Sequence, residues 1–184
     1  GFGKEHAEGR TTGDLKEFWH FGQDLDAQPK LKGIYPNNIH VKELQNFNKV
    51  GNEVYKKLEK TAEVLLQAIA LYLELDAFYF DSYIREGNSI LRAIHYPPIT
   101  KAPNEAERAA AHGDINLITL LMGSQGGGLQ VLNRNQEWID AIAGPDELMI
   151  NIGDMLSRLT NNHLPSTIHR VVNPPPEEWG NARY

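Results

Sequence analysis

Two imidazoles and one carboxylate are spaced along this chain so that only a fold with paired, distant strands can use them together. His112 and Asp114 stand two residues apart, and His169 follows 55 residues beyond Asp114. In an extended segment, side chains at i and i+2 leave the same side of the backbone, so the first two face one way if they lie on or beside a strand. His169 joins them only if the fold lays a far strand alongside. Such a set can hold one face of a six-coordinate Fe(II) and leave the other face open. It also suits catalytic zinc, although no HExxH helix or evident hydrolytic base accompanies it. The spacing by itself equally allows two loop residues and a hydrogen-bonded strand histidine.

The rest of the sequence decides whether strands are available. Apolar residues at Val41, Leu44, Phe47, Val50, Val54, Leu58, Leu65, Ile69 and Leu73 recur every three or four positions, which predicts one long amphipathic helix, with Gly51 as a candidate kink or break. A short helix is expected near Asp14–Phe18, a second over Ala77–Ile84 ended by Gly87-Asn88, and a helical turn over Asn104–Ala111. Beyond Ser89 the helical period disappears. Ser89–Tyr96, Leu117–Met122, Leu129–Leu132, Glu137–Ala141, Glu147–Ile152, Met155–Leu159 and Thr167–Val172 read as short strands, with a hairpin turn at Asn133–Gln136. Helices first and strands afterwards predict an α+β chain, and a jelly roll accommodates it with a mouth that can host a metal. The division is residues 1–88, an irregular and helical segment supporting the core, and residues 89–184, the core itself, within one structural unit.

Composition narrows the chemistry. A net charge of −6 argues against nucleic acid or an anionic membrane as the main partner. The absence of cysteine excludes disulfides, thiolate zinc sites, iron–sulfur clusters and cysteine nucleophiles, and fits a reducing cytoplasm. No apolar run reaches the ~18 residues of a membrane span. Gly1 and Tyr184 read as cut ends of a longer chain. A monomer acting on a small molecule is expected.

The blocks LRAIHYPP, HGDINLITLLM, GGLQVL, EWIDA, INIGDMLSRLTN, LPSTIHRVVNPP and ARY follow one another in this order. In that order the chain resembles the isopenicillin N synthase-like family of Fe(II)- and 2-oxoglutarate-dependent oxygenases, closely over Ser89–Tyr184 and more loosely before it. The resemblance implies a double-stranded β-helix with the long N-terminal helix packed on one sheet. It implies that His112, Asp114 and His169 bind Fe(II), and that Arg183 grips the distal carboxylate of 2-oxoglutarate through its planar fork. The serine that the family places two residues after this arginine would fall beyond Tyr184. Tyr96, just before the proline pair, would donate to co-substrate or substrate; a core tyrosine with a satisfied hydroxyl is the alternative. The implied reaction consumes 2-oxoglutarate and dioxygen, releases succinate and CO₂, and hydroxylates, desaturates or cyclises a small molecule. Two other readings stand beside it: an Fe(II) oxidase of the same fold that needs no 2-oxoglutarate, and a non-catalytic metal-binding jelly roll.

Strand alternation carries one further expectation. If Tyr96 points inward, so do Ile94 and Arg92, while His95 points away. His95, His163, Asp154 and Asn116 are decoys or residues behind the ligands. The triplet Gly126–Gly128 lacks a following helix and Lys-Ser/Thr, so a phosphate-binding loop is not expected.

Overall fold

The computed structural model describes residues 2–7, 9–124 and 126–184. Among these, three α-helices mix with eight strands, which pair in antiparallel sheets wherever the register is defined. The chain divides into two compact units, Gly1–Phe18 with Ile94–Tyr184, and Trp19–Ala93. It passes between them within β1 (Glu17–Phe21) and β2 (Leu91–His95), which pair as a two-stranded ribbon. The short helix expected near Asp14–Phe18 does not form: residues 14–16 are irregular, and Glu17 and Phe18 open β1. Its sequence EFWHF is rich in aromatic side chains, which favour a pleated, half-buried surface.

In the unit Trp19–Ala93, α1 covers Phe47–Tyr72, 26 residues or about 39 Å. It begins six residues later than the apolar period suggests, because Val41–Asn46 forms no continuous hydrogen-bonded helix. No break occurs at Gly51. The ring of Phe21 lies against this glycine, and a Cβ there would come within 2.2 Å of a ring carbon. Phe21 is 2% exposed and also meets the Phe47 ring at 5.2 Å. Burying a phenylalanine is worth roughly 1.5–3 kcal/mol, more than the ~1 kcal/mol that glycine costs a helix. α2 is shorter than expected, Asp81–Arg85. Arg92 donates from Nε to His20 Nε2 at 2.9 Å.

In the other unit, β3 (Ala109–His112), β5 (Leu129–Leu132), β6 (Trp138–Asp140) and β8 (His169–Val171) form a sheet in the order β3-β8-β5-β6. β4 (Ile118–Met122) pairs antiparallel with β7 (Leu148–Ile152). The β5–β6 hairpin turns as expected at Asn133, whose Oδ1 accepts the N–H groups of Asn135 and Glu137, both at 2.9 Å. Two expectations fail here. Asn104–Ala111 makes no helix: Asn104 sits at φ +52, and the small side chain of Ala109 packs instead with Tyr96 and Val171. Met155–Leu159 is not a strand but lies in α3 (Asp154–Leu159), with Leu156 and Ser157 buried. A six-residue helix is too short for its period to be told from a strand. The core of this unit joins Tyr96, Ala109 and Val171 with Ile94 and Leu129. Ile94 thus shares the inward face with Tyr96, while His95 meets Glu17 at 2.9 Å and stacks on Tyr184. No helix among the described residues is long and apolar enough to cross a membrane.

Candidate metal centre

Sheet register brings the distant histidine home. β3 and β8 run antiparallel with His112 opposite His169, and the two rings lie 4.5 Å apart between centroids. Asp114 follows two residues after His112, at the exit of β3. One ligand atom from each of His112, Asp114 and His169 lies within 4.8 Å of the others. The Asp114 exit is itself fastened from behind. The first N–H groups of α3 donate to it, Asp154 to the Asp114 carbonyl at 2.7 Å and Met155 to the Ile115 carbonyl at 3.1 Å. Gly153 permits this close approach, since a Cβ there would come within 2.2 Å of the Asn116 carbonyl oxygen.

The donor atoms are selected by what the other atom of each side chain does. His112 Nδ1 meets the Ala110 carbonyl at 2.6 Å, and His169 Nδ1 meets the Thr167 carbonyl at 3.1 Å. A carbonyl only accepts, so both Nδ1 atoms carry a proton, and it is the Nε2 atom of each ring, in its neutral tautomer, that is left with a lone pair to offer. Asp114 is treated alike: Oδ2 accepts from Thr119 Oγ1 at 2.5 Å and from Asn151 Nδ2 at 2.8 Å. Its Oδ1 stands 3.8 Å from His169 Nε2. Two neutral imidazole nitrogens and one carboxylate oxygen fit a divalent first-row metal with positions to spare.

For His112 and Asp114, electrostatics favour the neutral imidazole and the ionised carboxylate. Burial holds the His112 imidazole below its ordinary value, against the opposing pull of the Ala110 carbonyl and the Asp114 charge. For Asp114, burial alone would raise the carboxyl, but hydrogen bonds from Thr119 and Asn151 and the two nearby imidazoles outweigh it and leave it lowered. A carboxylate and a neutral imidazole are the forms a metal binds.

Arg183 lies 7% exposed, and its backbone pairs with Tyr96 as an isolated antiparallel bridge. Its Nε donates to Ser124 Oγ at 2.8 Å and one terminal nitrogen donates to the Gly127 carbonyl. Both acceptors are neutral, and among the described residues no carboxylate lies within 4.0 Å of its guanidinium. One carbonyl of the glycine triplet thus accepts from a buried cation. Tyr96 is buried, with the Arg183 guanidinium carbon 5.6 Å from its ring centroid, and burial pushes its phenol above the usual range. His163 is exposed.

Thr119 and Asn151 were not singled out by sequence. They are direct cross-strand partners in the β4–β7 pair, which is why both reach one oxygen. The signal was faint but present: Asn151 is the one polar residue in the apolar run LMINI. Asn116, placed among residues behind the ligands, donates to Thr119 Oγ1 at 2.9 Å and extends this network. Asn151→Ala is expected to lower divalent-metal affinity about tenfold, the low end of what lost outer hydrogen bonds cost a site. A competition titration with a chelator checks this; unchanged affinity would mean that Oδ2 needs no second donor.

The family model of the 2OG-Fe(II) oxygenase superfamily matches residues 87–184. A 2-oxoglutarate-Fe(II) type oxidoreductase of Aspergillus fumigatus is 35% identical over 171 residues, covering 87% of this chain and 50% of the relative. A crystal structure of a 2OG-Fe(II) oxygenase family protein from Caulobacter crescentus aligns over 100% of this chain and 59% of its own, at 49% identity and a TM-score of 0.85. A full-length Neurospora crassa protein, solved in complex with alpha-KG, aligns over 95% of this chain and 54% of its own, at 33% identity and a TM-score of 0.79. The same Neurospora protein has also been solved with alpha-KG and thymine. The chain spans about half the length of the curated relatives it matches. With that family model matched over more than half of its length, and with relatives that bear the same family name, the chain belongs to the 2OG-Fe(II) oxygenase superfamily.

Proposed function

We propose that the protein is an Fe(II)- and 2-oxoglutarate-dependent dioxygenase that oxidises a small molecule, with His112, Asp114 and His169 as the iron ligands. The observation that carries this reading is the convergence of three donor atoms whose partner atoms are all engaged elsewhere. Bound Fe(II) supplies the dioxygen chemistry that turns 2-oxoglutarate into succinate and CO₂ and oxidises a substrate C–H bond. The chain's own task is to hold and orient. The two Nδ1–H groups aim the imidazoles, and the Thr119 and Asn151 donors leave Asp114 one oxygen to offer. In this reading Arg183, a buried cation whose hydrogen-bond acceptors among the described residues are neutral, grips the distal carboxylate of 2-oxoglutarate, a pairing that offsets the cost of burying its charge. Tyr96, bridged to Arg183 through the backbone, donates in this reading to co-substrate or substrate.

The sheets described above are read as part of a double-stranded β-helix formed by residues 89–184, with residues 1–88 supporting it. Small-molecule complexes of the Neurospora relative support a small-molecule substrate.

An anaerobic titration of the full-length protein with Fe(II) and then 2-oxoglutarate tests the reading. A visible charge-transfer band of the chelated keto acid is expected, followed by succinate release when air and substrate are added. A protein that binds Fe(II) but develops no such band, or oxidises substrate without forming succinate, would refute 2-oxoglutarate dependence.

A further inference from the structure

We propose that Asp14, locked in place by Lys16, is a positioning residue for the metal centre: it fixes the backbone of Ala110, whose carbonyl orients the His112 imidazole. The inference rests on the reading of His112 as a metal ligand. Asp14 and Lys16 are 4% and 6% exposed, in a segment otherwise remote in sequence from the ligands. The Lys16 ammonium lies 2.9 Å from Asp14 Oδ2 and 2.9 Å from Glu5 Oε2, so a buried cation is matched by two carboxylates. That pairing occupies Asp14 Oδ2 and leaves Oδ1, which accepts the Ala110 N–H at 3.1 Å. The carbonyl of the same Ala110 accepts the His112 Nδ1–H at 2.6 Å. One main-chain residue therefore separates the Asp14 carboxylate from the imidazole.

The local sheet explains why such a brace is needed. The β3–β8 register is irregular between Ala109 and His112. Where a register slips, the ladder stops holding the strand, and the side chains beyond it are re-aimed. Asp14 supplies a fixed acceptor at Ala110, within the stretch where the ladder is interrupted. The neighbouring backbone follows the same path, with Leu15 N–H donating to the Glu107 carbonyl at 2.9 Å.

A plain docking role for the N-terminal segment makes a different prediction, and Arg10 separates the two. Its guanidinium meets the Glu105 carbonyl at 3.2 Å and Glu107 Oε1 at 3.4 Å, fastening the same segment without touching Ala110. Co(II) serves as the probe, read by its visible ligand-field absorption and its dissociation constant, with the imidazole nitrogen shifts of His112 measured in metal-free protein. Asp14→Ala is expected to weaken Co(II) binding about tenfold, to alter the ligand-field spectrum, and to cost His112 its single Nδ1–H form. Arg10→Ala is expected to lower the melting temperature and leave all three readouts unchanged. A folded Asp14→Ala protein with wild-type affinity, spectrum and nitrogen shifts overturns the proposal, as does an Arg10→Ala protein that shifts them equally. Should Asp14→Ala not fold, Asp14→Asn takes its place with an expected loss of about threefold, and no loss overturns the proposal. If the wild-type protein binds no Co(II), the metal reading fails separately, and the nitrogen shifts of Asp14→Asn or Asp14→Ala still decide whether Asp14 orients His112.

Discussion

Asp114→Ala is expected to abolish turnover and weaken Fe(II) binding by more than about 100-fold, beyond the range that outer hydrogen bonds account for. The carboxylate is the only anion of the proposed ligand set, so its removal leaves two neutral nitrogens to hold a dication. It also strands Thr119 and Asn151, whose hydroxyl and amide lose their shared acceptor at a cost of about 1–3 kcal/mol. The variant should therefore melt earlier as well as fail to load. Anaerobic equilibrium titration of Fe(II), with a melting curve on the same sample, separates the two effects. His169→Ala should also abolish turnover and sharply weaken iron binding while stranding, among the described residues, the Thr167 carbonyl alone. A folded variant of either kind with wild-type turnover would remove that residue from the ligand set.

Arg183→Ala should raise the 2-oxoglutarate requirement far more than it lowers iron affinity. Hydrogen bonds to a charged partner are worth about 1.5–3 kcal/mol, which corresponds to roughly a 10- to 150-fold higher half-saturating concentration. The side chain also braces Ser124 and the Gly127 carbonyl, so part of any defect could come from that loop. Ser124→Ala is the comparison: it removes one acceptor of the Arg183 Nε and leaves the cation. Following the keto-acid band against 2-oxoglutarate at saturating Fe(II) reads the step directly. An unchanged half-saturation in the arginine variant would overturn its role as carboxylate clamp.

Much of the fold was legible because its signals are local. The three-to-four-residue apolar period of α1 and the Asn133 turn arise within a few residues of backbone, and both appear close to where the sequence places them. The misplacements are equally instructive. Ala109–Ala111 has good helix propensity, yet Ala109 lies in a strand because a small side chain is what packs beside Tyr96 and Val171. Gly51 reads as a helix breaker until Phe21, thirty positions earlier, is seen to occupy the space a Cβ would need.

The site divides along the same line. The sequence by itself named the side chains that could bind a metal, predicted that His112 and Asp114 would leave one side of an extended segment, and required a late histidine to be carried in on another strand. The tertiary structure alone decided that His169 stands opposite His112, that Thr119 and Asn151 share one oxygen of Asp114, and that Asp14 reaches the peptide behind His112. The reason is physical: the direction of a side chain follows from the dihedrals of its own residue, whereas strand register and long-range burial are set by the packing of the whole sheet.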